Sequence, residues 1–175
     1  FYFMKTKLSI LIALFSFLSI QGYSQEKTKK ELKAEKELQE QKETEALIDS
    51  KSFVFDAEKL MPQSGRMIIL DYNTYFLKLN QDNVTCDLPF FGRGFNIGYG
   101  SDGGIKFEGK PENLKVEKSK KYYTIKMTVK GKDDVYDIFF KIFFNKETTL
   151  SINSNNRSFI SYDGNIRAFK AEEKK

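Results

Sequence analysis

Two residue types that carry much of enzyme chemistry, histidine and paired cysteine, are missing from this chain, and that excludes several kinds of site. There is no histidine, so a Ser-His-Asp triad, a Cys-His pair or a histidine-ligated metal cannot be built from it. The single cysteine, Cys86, forms neither an internal disulfide nor a multi-cysteine metal site. It is in step with Val84 and Leu88, which predicts a buried, inert thiol. Adjacent carboxylates occur at Asp133-Asp134 and Glu172-Glu173. Acid/base work needs carboxylates that converge in space, and these read more simply as a turn and a tail. A hydrolase using Asp102 and Asp134 is the weakest of the functional readings.

Gly98-Tyr99-Gly100-Ser101-Asp102-Gly103 spells G-x-G-x-x-G. That motif binds a dinucleotide only between a strand and the helix whose N-terminus meets the pyrophosphate. Here Ile105-Lys106-Phe107 follows, a strand pattern, so no cofactor is expected. The stretch from Leu88 to Gly104 is nevertheless unusual, with six glycines and four aromatics beside Arg93 and Asp102. Glycine allows left-handed backbone and close approach, and aromatics with an arginine make a binding surface. The expected ligand-binding residues are therefore Arg93, Tyr99 and Asp102 as polar and aromatic contacts, with Phe90, Phe91 and Phe95 as walls. Arg66 and Arg157 are weaker additions. The alternative is a long structural loop whose aromatics cover the open end of a sheet. Asn153-Ser154-Asn155-Asn156-Arg157 reads as a polar turn that uses asparagine's tolerance for left-handed backbone.

The elements that must position these residues follow from patterning. Lys5 and Lys7 follow Met4, then Leu8 to Ile20 is almost wholly apolar, then Gly22-Tyr23-Ser24 supplies small residues. That is the layout of a secretory signal peptide from Met4 to Ser24, with Phe1 to Phe3 spurious. The apolar run is too short to span a membrane. Cleavage leaves a chain from Gln25 without a transmembrane anchor, periplasmic or secreted. The first 24 residues hold two of the 29 Lys and Arg and none of the 24 Asp and Glu, so 27 basic residues face 24 acidic ones in the mature chain. That small, dispersed surplus predicts no nucleic-acid partner.

Residues 25 to 50 are rich in Glu and Lys, spaced as in Lys33–Glu37 and Lys36–Glu40 to meet on a helix surface. Apolar residues are too sparse for a coiled-coil seam. The expectation is a solvated helix docking only its last turns near Leu47 and Ile48, or alternatively a partner-binding helix.

From residue 51 to 169 the pattern changes to strand. Tyr123, Ile125, Met127 and Val129 alternate with Thr124, Lys126, Thr128 and Lys130, a half-buried strand by its period of two. Val135 to Phe144 is apolar on both faces, and Leu114 and Val116 alternate with Lys115 and Glu117. Turns at Gly131–Asp134, Asn145–Glu147 and Asn153–Asn156 separate successive runs. About nine strands with short connections predict a mainly β, antiparallel sheet closed into a barrel or sandwich. Lys126 and Lys130 at outward positions argue against a lipid-facing barrel. Residues 170 to 175 are expected to be a disordered tail.

The phrases LPFFGRGF, YGSDGGIKF, YTIKMTVKGKDDVY and LSINSNNRSFISYDG, after a SFVFDAEKLMPQSGR opening, resemble the domain of unknown function 4251 family. The resemblance covers about residues 45 to 166. It implies an exported protein of Gram-negative bacteria and supplies no catalytic residue. The resulting expectation is a non-enzymatic binding or cell-envelope-associated protein, without cofactor or metal, whose partner is a small molecule or an envelope component. The rival is a structural interaction module using the charged helix.

Overall fold

The computed structural model describes residues 28–63, 65–95 and 103–169. The expected signal peptide, Tyr99, Asp102 and the C-terminal tail lie outside the described residues. The chain divides into two compact units, residues 1–36 and 37–175. In the first, the described residues open helix α1 (Lys29–Asp49). Its start is a capping box: the Thr28 amide donates to Glu31 Oε2 at 2.9 Å, and the Glu31 amide reaches Thr28 Oγ1 at 3.4 Å.

The second unit holds the rest of α1 and ten strands: β1 (Ser52–Pro62), β2 (Ile68–Ile69), β3 (Phe76–Asn80), β4 (Asn83–Leu88), β5 (Ile105–Gly109), β6 (Pro111–Lys118), β7 (Tyr122–Lys130), β8 (Val135–Phe143), β9 (Glu147–Ser154) and β10 (Ile160–Ala168). All pairings are antiparallel, in the order β5-β4-β3-β1-β10-β9-β8-β7-β6, with β2 pairing β1. The two edge strands, β5 and β6, are consecutive in sequence and joined through Lys110. The sheet therefore curls until its edges meet, nearly closing into a barrel.

Glycine permits that meeting. A Cβ on Gly109, at the end of β5, would lie 2.7 Å from the Lys130 carbonyl oxygen and 2.9 Å from Val129 Cγ1, both on β7. Beside it the Phe107 ring stacks on Tyr136 of β8, centroids 4.2 Å apart. The interior is filled by side chains from opposing walls: Phe53 and Phe55 of β1 meet Phe140 of β8 edge-to-face at 5.7 and 6.0 Å. Cys86 is buried, as its alternation with Val84 and Leu88 predicts, and its thiol points to the Ile105 carbonyl at 3.5 Å.

The end of α1 docks on this core. Ile48 joins the core cluster with Leu47 packed beside it. Thr44 is fully buried and its hydroxyl donates to the Phe144 carbonyl at 2.7 Å. Glu43–Lys146 and Glu45–Lys118, each 2.7 Å, flank the contact.

Three details depart from the sequence pattern. Among the described residues there are ten strands rather than about nine, because the two-residue β2 is too short to carry a period. Met67–Leu70 is a continuous apolar run, yet Met67 and Ile69 are exposed, since β2 is a short outer strand. Val116, expected inward with Leu114, is also exposed. A register shift between Glu112 and Lys115, with Asn113 at φ 54°, turns the edge strand β6 out of phase.

Candidate functional site

After β4 the chain runs from Pro89 along the connection between β9 and β10. The Pro89 carbonyl accepts the Tyr162 hydroxyl at 2.7 Å. Gly94 then bridges antiparallel to Arg157. The Phe95 amide donates to the Asn156 carbonyl at 2.8 Å, and the Ser158 amide to the Arg93 carbonyl at 2.9 Å. Gly92 is needed for this approach, because a Cβ there would fall 2.6 Å from both Phe90 Cζ and Ser158 Oγ. The pairing turns Phe91, Arg93 and Phe95 outward, with Phe91 52% and Phe95 69% exposed. Phe90 packs against the core instead. So Phe90, Phe91, Arg93, Phe95 and Arg157 share one paired segment. Arg66 lies exposed in the connection between β1 and β2, outside that pairing.

Arg157 turns inward. Its Nη1 stands 3.7 Å from Asp134 Oδ2, with side-chain exposures of 12% and 1%. Its Nη2 donates to the Gly104 carbonyl at 3.0 Å, and its guanidinium lies over the Phe90 ring at 5.7 Å. Asp134 Oδ1 accepts the amides of Val135 at 2.8 Å and Asn155 at 3.2 Å. One carboxylate thus ties the β7–β8 turn to the β9–β10 turn, and one arginine ties both to the strand-like segment after β4. Asp134 Oδ2 and Arg157 Nε are buried without a hydrogen-bond partner. Burial raises the neighbouring Tyr136 hydroxyl above its usual pKa, against the opposing pull of Arg157.

Among the described residues, grooves mark the outer surface, and two of them are lined by polar side chains. The first, about 300 Å³, includes Glu58, Glu147 and Asp163 in its lining. Asn165 donates to Glu58 at 2.8 Å and Thr149 to Asp163 at 2.8 Å. Among the described residues no cluster of His, Cys, Asp and Glu is fit to hold a metal ion.

The second groove, about 410 Å³, lies on the outer face of β6 to β9 and reaches Phe159. Two rows of cross-strand neighbours form it. Lys115 stands opposite Lys126, Lys126 opposite Phe139 and Phe139 opposite Ser151. One step along the strands, Thr128 stands opposite Asp137 and Asp137 opposite Asn153. Thr128 donates to Asp137 Oδ1 at 2.9 Å, and the Lys126 ammonium lies 5.6 Å from the centre of the Phe139 ring. Sequence reasoning missed this groove because its residues occupy alternating outward positions, which look like an ordinary wet face.

A profile of the family described as domain of unknown function (DUF4251) matches residues 35–166. A crystal structure of a DUF4251 family protein from Bacteroides eggerthii DSM 20697 has a similar fold, with a TM-score of 0.58 at 22% identity. The alignment covers 74% of this chain and 87% of that one. No curated protein matches the chain. Among the described residues no helix is long and apolar enough to cross a membrane.

Proposed function

The chain belongs to the DUF4251 family, and from that premise we propose that it is an exported, non-enzymatic binding protein that recognises a cell-envelope component on its surface. The observation that carries this reading is the pairing of residues 93–95 with 156–158, which fixes Phe91, Arg93 and Phe95 outward while Phe53, Phe55 and Phe140 fill the barrel. A large apolar side chain exposed on a held segment loses water on contact without first having to be ordered, and that favours association. The basic start and short apolar run before Ser24 support export, with Gln25 as the first mature residue.

The test is co-sedimentation of the mature chain with isolated cell envelopes. The triple variant Phe91→Ala, Arg93→Ala, Phe95→Ala is expected to stay in the supernatant while keeping the native thermal midpoint. Equal sedimentation of both proteins overturns the reading.

A second reading rests on α1, where Leu32 and Leu38 are 52% and 53% exposed. There the charged helix would bind a partner protein. Leu32→Glu with Leu38→Glu abolishes capture of that partner if the helix is the interface, and leaves it intact if the barrel surface is.

A further inference from the structure

The groove across β6 to β9 carries chemistry that the Phe91–Phe95 surface does not use. Lys115 and Lys126 face each other directly across two hydrogen-bonded strands. Like charges so placed repel and weaken the strand pair. Elsewhere on this face Lys130 has a carboxylate partner, meeting Glu112 at 2.9 Å. Among the described residues no carboxylate lies within ion-pair distance of Lys115 or Lys126. An anion between the two ammonium groups would relieve the repulsion.

The second row sets what else such a ligand carries. Two residues along a strand separate the rows by roughly 6.7 Å. There Asp137, with one oxygen already taken by Thr128, stands beside Asn153, and Asn113 lines the same groove. Amides both donate and accept, and the second carboxylate oxygen of Asp137 accepts; together they match hydroxyls rather than a second anion. Phe139 and Phe159 supply apolar surface between these polar ends. We propose that this groove binds an anionic saccharide, its acid group between Lys115 and Lys126 and its ring hydroxyls on Asp137 and Asn153. An acidic peptide fits less well. Extended peptides bind sheets through main-chain bonds at an open edge; the edge strand β6 gives this groove only Asn113 and Lys115, while most of its lining stands on β7 and β8, each paired on both sides.

The proposal stands apart from the Phe91–Phe95 surface and is tested separately. Titrate the mature chain by calorimetry with trigalacturonate, a sulfated trisaccharide, neutral galactotriose and penta-aspartate. Saturable binding is expected for one of the anionic sugars, and which one separates a carboxylate from a sulfate. Lys115→Gln with Lys126→Gln should weaken it about tenfold or more while leaving the fold intact. Asn153→Ala should weaken it without changing its salt dependence. Binding should persist in the Phe91/Arg93/Phe95 triple variant. No binding of either anionic sugar, equal binding of galactotriose, or tighter binding of penta-aspartate would overturn the assignment.

Discussion

Asp134 and Arg157, separated by 23 positions in sequence, meet at 3.7 Å where two hairpin turns and the segment after β4 converge. Both side chains are largely withdrawn from water. Removing one charge of such a pair strands the other in a poor solvent. Arg157→Met should therefore destabilise the fold by about 3 kcal/mol. Asp134→Asn with Arg157→Met should cost less than the two single changes combined, because neither charge is left alone. Urea midpoints of the four proteins decide it; strict additivity would mean that the pair contributes no coupling.

A second prediction concerns the bulge in β1. The register between β1 and β10 shifts between Ala57 and Lys59, opposite Gly164. A Cβ on Gly164 would overlap the carbonyl oxygen of Asp56, a backbone atom with no freedom to rotate away. Gly164→Ala should cost about 3 kcal/mol, at the upper end for overpacking. Gly103→Ala is the control for added bulk, because a Cβ there meets nothing within 4 Å; its φ of 74° leaves only a backbone cost of about 1 kcal/mol. Thermal midpoints that fall equally would show that the Gly164 contact relaxes.

The contrast between these two sites shows how far the sequence could be read. Strand β7 repeats one face many times, so its period declares it, and β8 is marked by an apolar run between two turns. Gly109 and Gly164 matter through atoms on other strands, and the local pattern does not reveal which glycine is crowded. Asp134 and Arg157 each sit among turn residues, where polar side chains are ordinary, so nothing local marks them as buried partners. The candidate surface was partly readable, since glycine and phenylalanine are concentrated from Phe90 to Phe95. The Lys115–Lys126 opposition was not, because it depends on the register across the β6 bulge.

The third prediction is a loss of stability in alkali. Burial, and then the charge of Asp87, push the Cys86 thiol well above its usual pKa. Burial also raises Tyr136 and Tyr162. Below about pH 8.5 the folded and unfolded chains both hold the cysteine proton. Above it the unfolded chain releases that proton while the folded chain keeps it, so unfolding gains with each further pH step. The two tyrosines add to the decline above about pH 10. Cys86→Ala should lower stability at neutral pH, yet show no decline between pH 8.5 and 9.5. The native thiol should also resist a disulfide reagent until denaturant is added. A native chain with flat stability across that interval would contradict the assigned burial.

The last prediction weighs the forces that hold the end of α1. Ile48, Leu47, Thr44, Glu43 and Glu45 make the contact, but they are unequal. Ile48 is 3% exposed inside the core cluster, so Ile48→Ala removes apolar burial and leaves a cavity, for about 3 kcal/mol. Thr44 gives its hydroxyl to the Phe144 carbonyl; Thr44→Val keeps the shape but leaves that carbonyl unmet, for about 1 kcal/mol. The hydrogen bond from Lys146 holds the Glu43 carboxyl below its usual pKa. That pair is solvent-accessible, so water and salt screen it. Glu43→Gln should leave the urea midpoint unchanged, and added salt should not loosen the helix. Apolar burial therefore decides the docking, with the ion pairs setting only its orientation. If Glu43→Gln destabilised the chain as much as Ile48→Ala, that ranking would be reversed, and α1 would be held by charge.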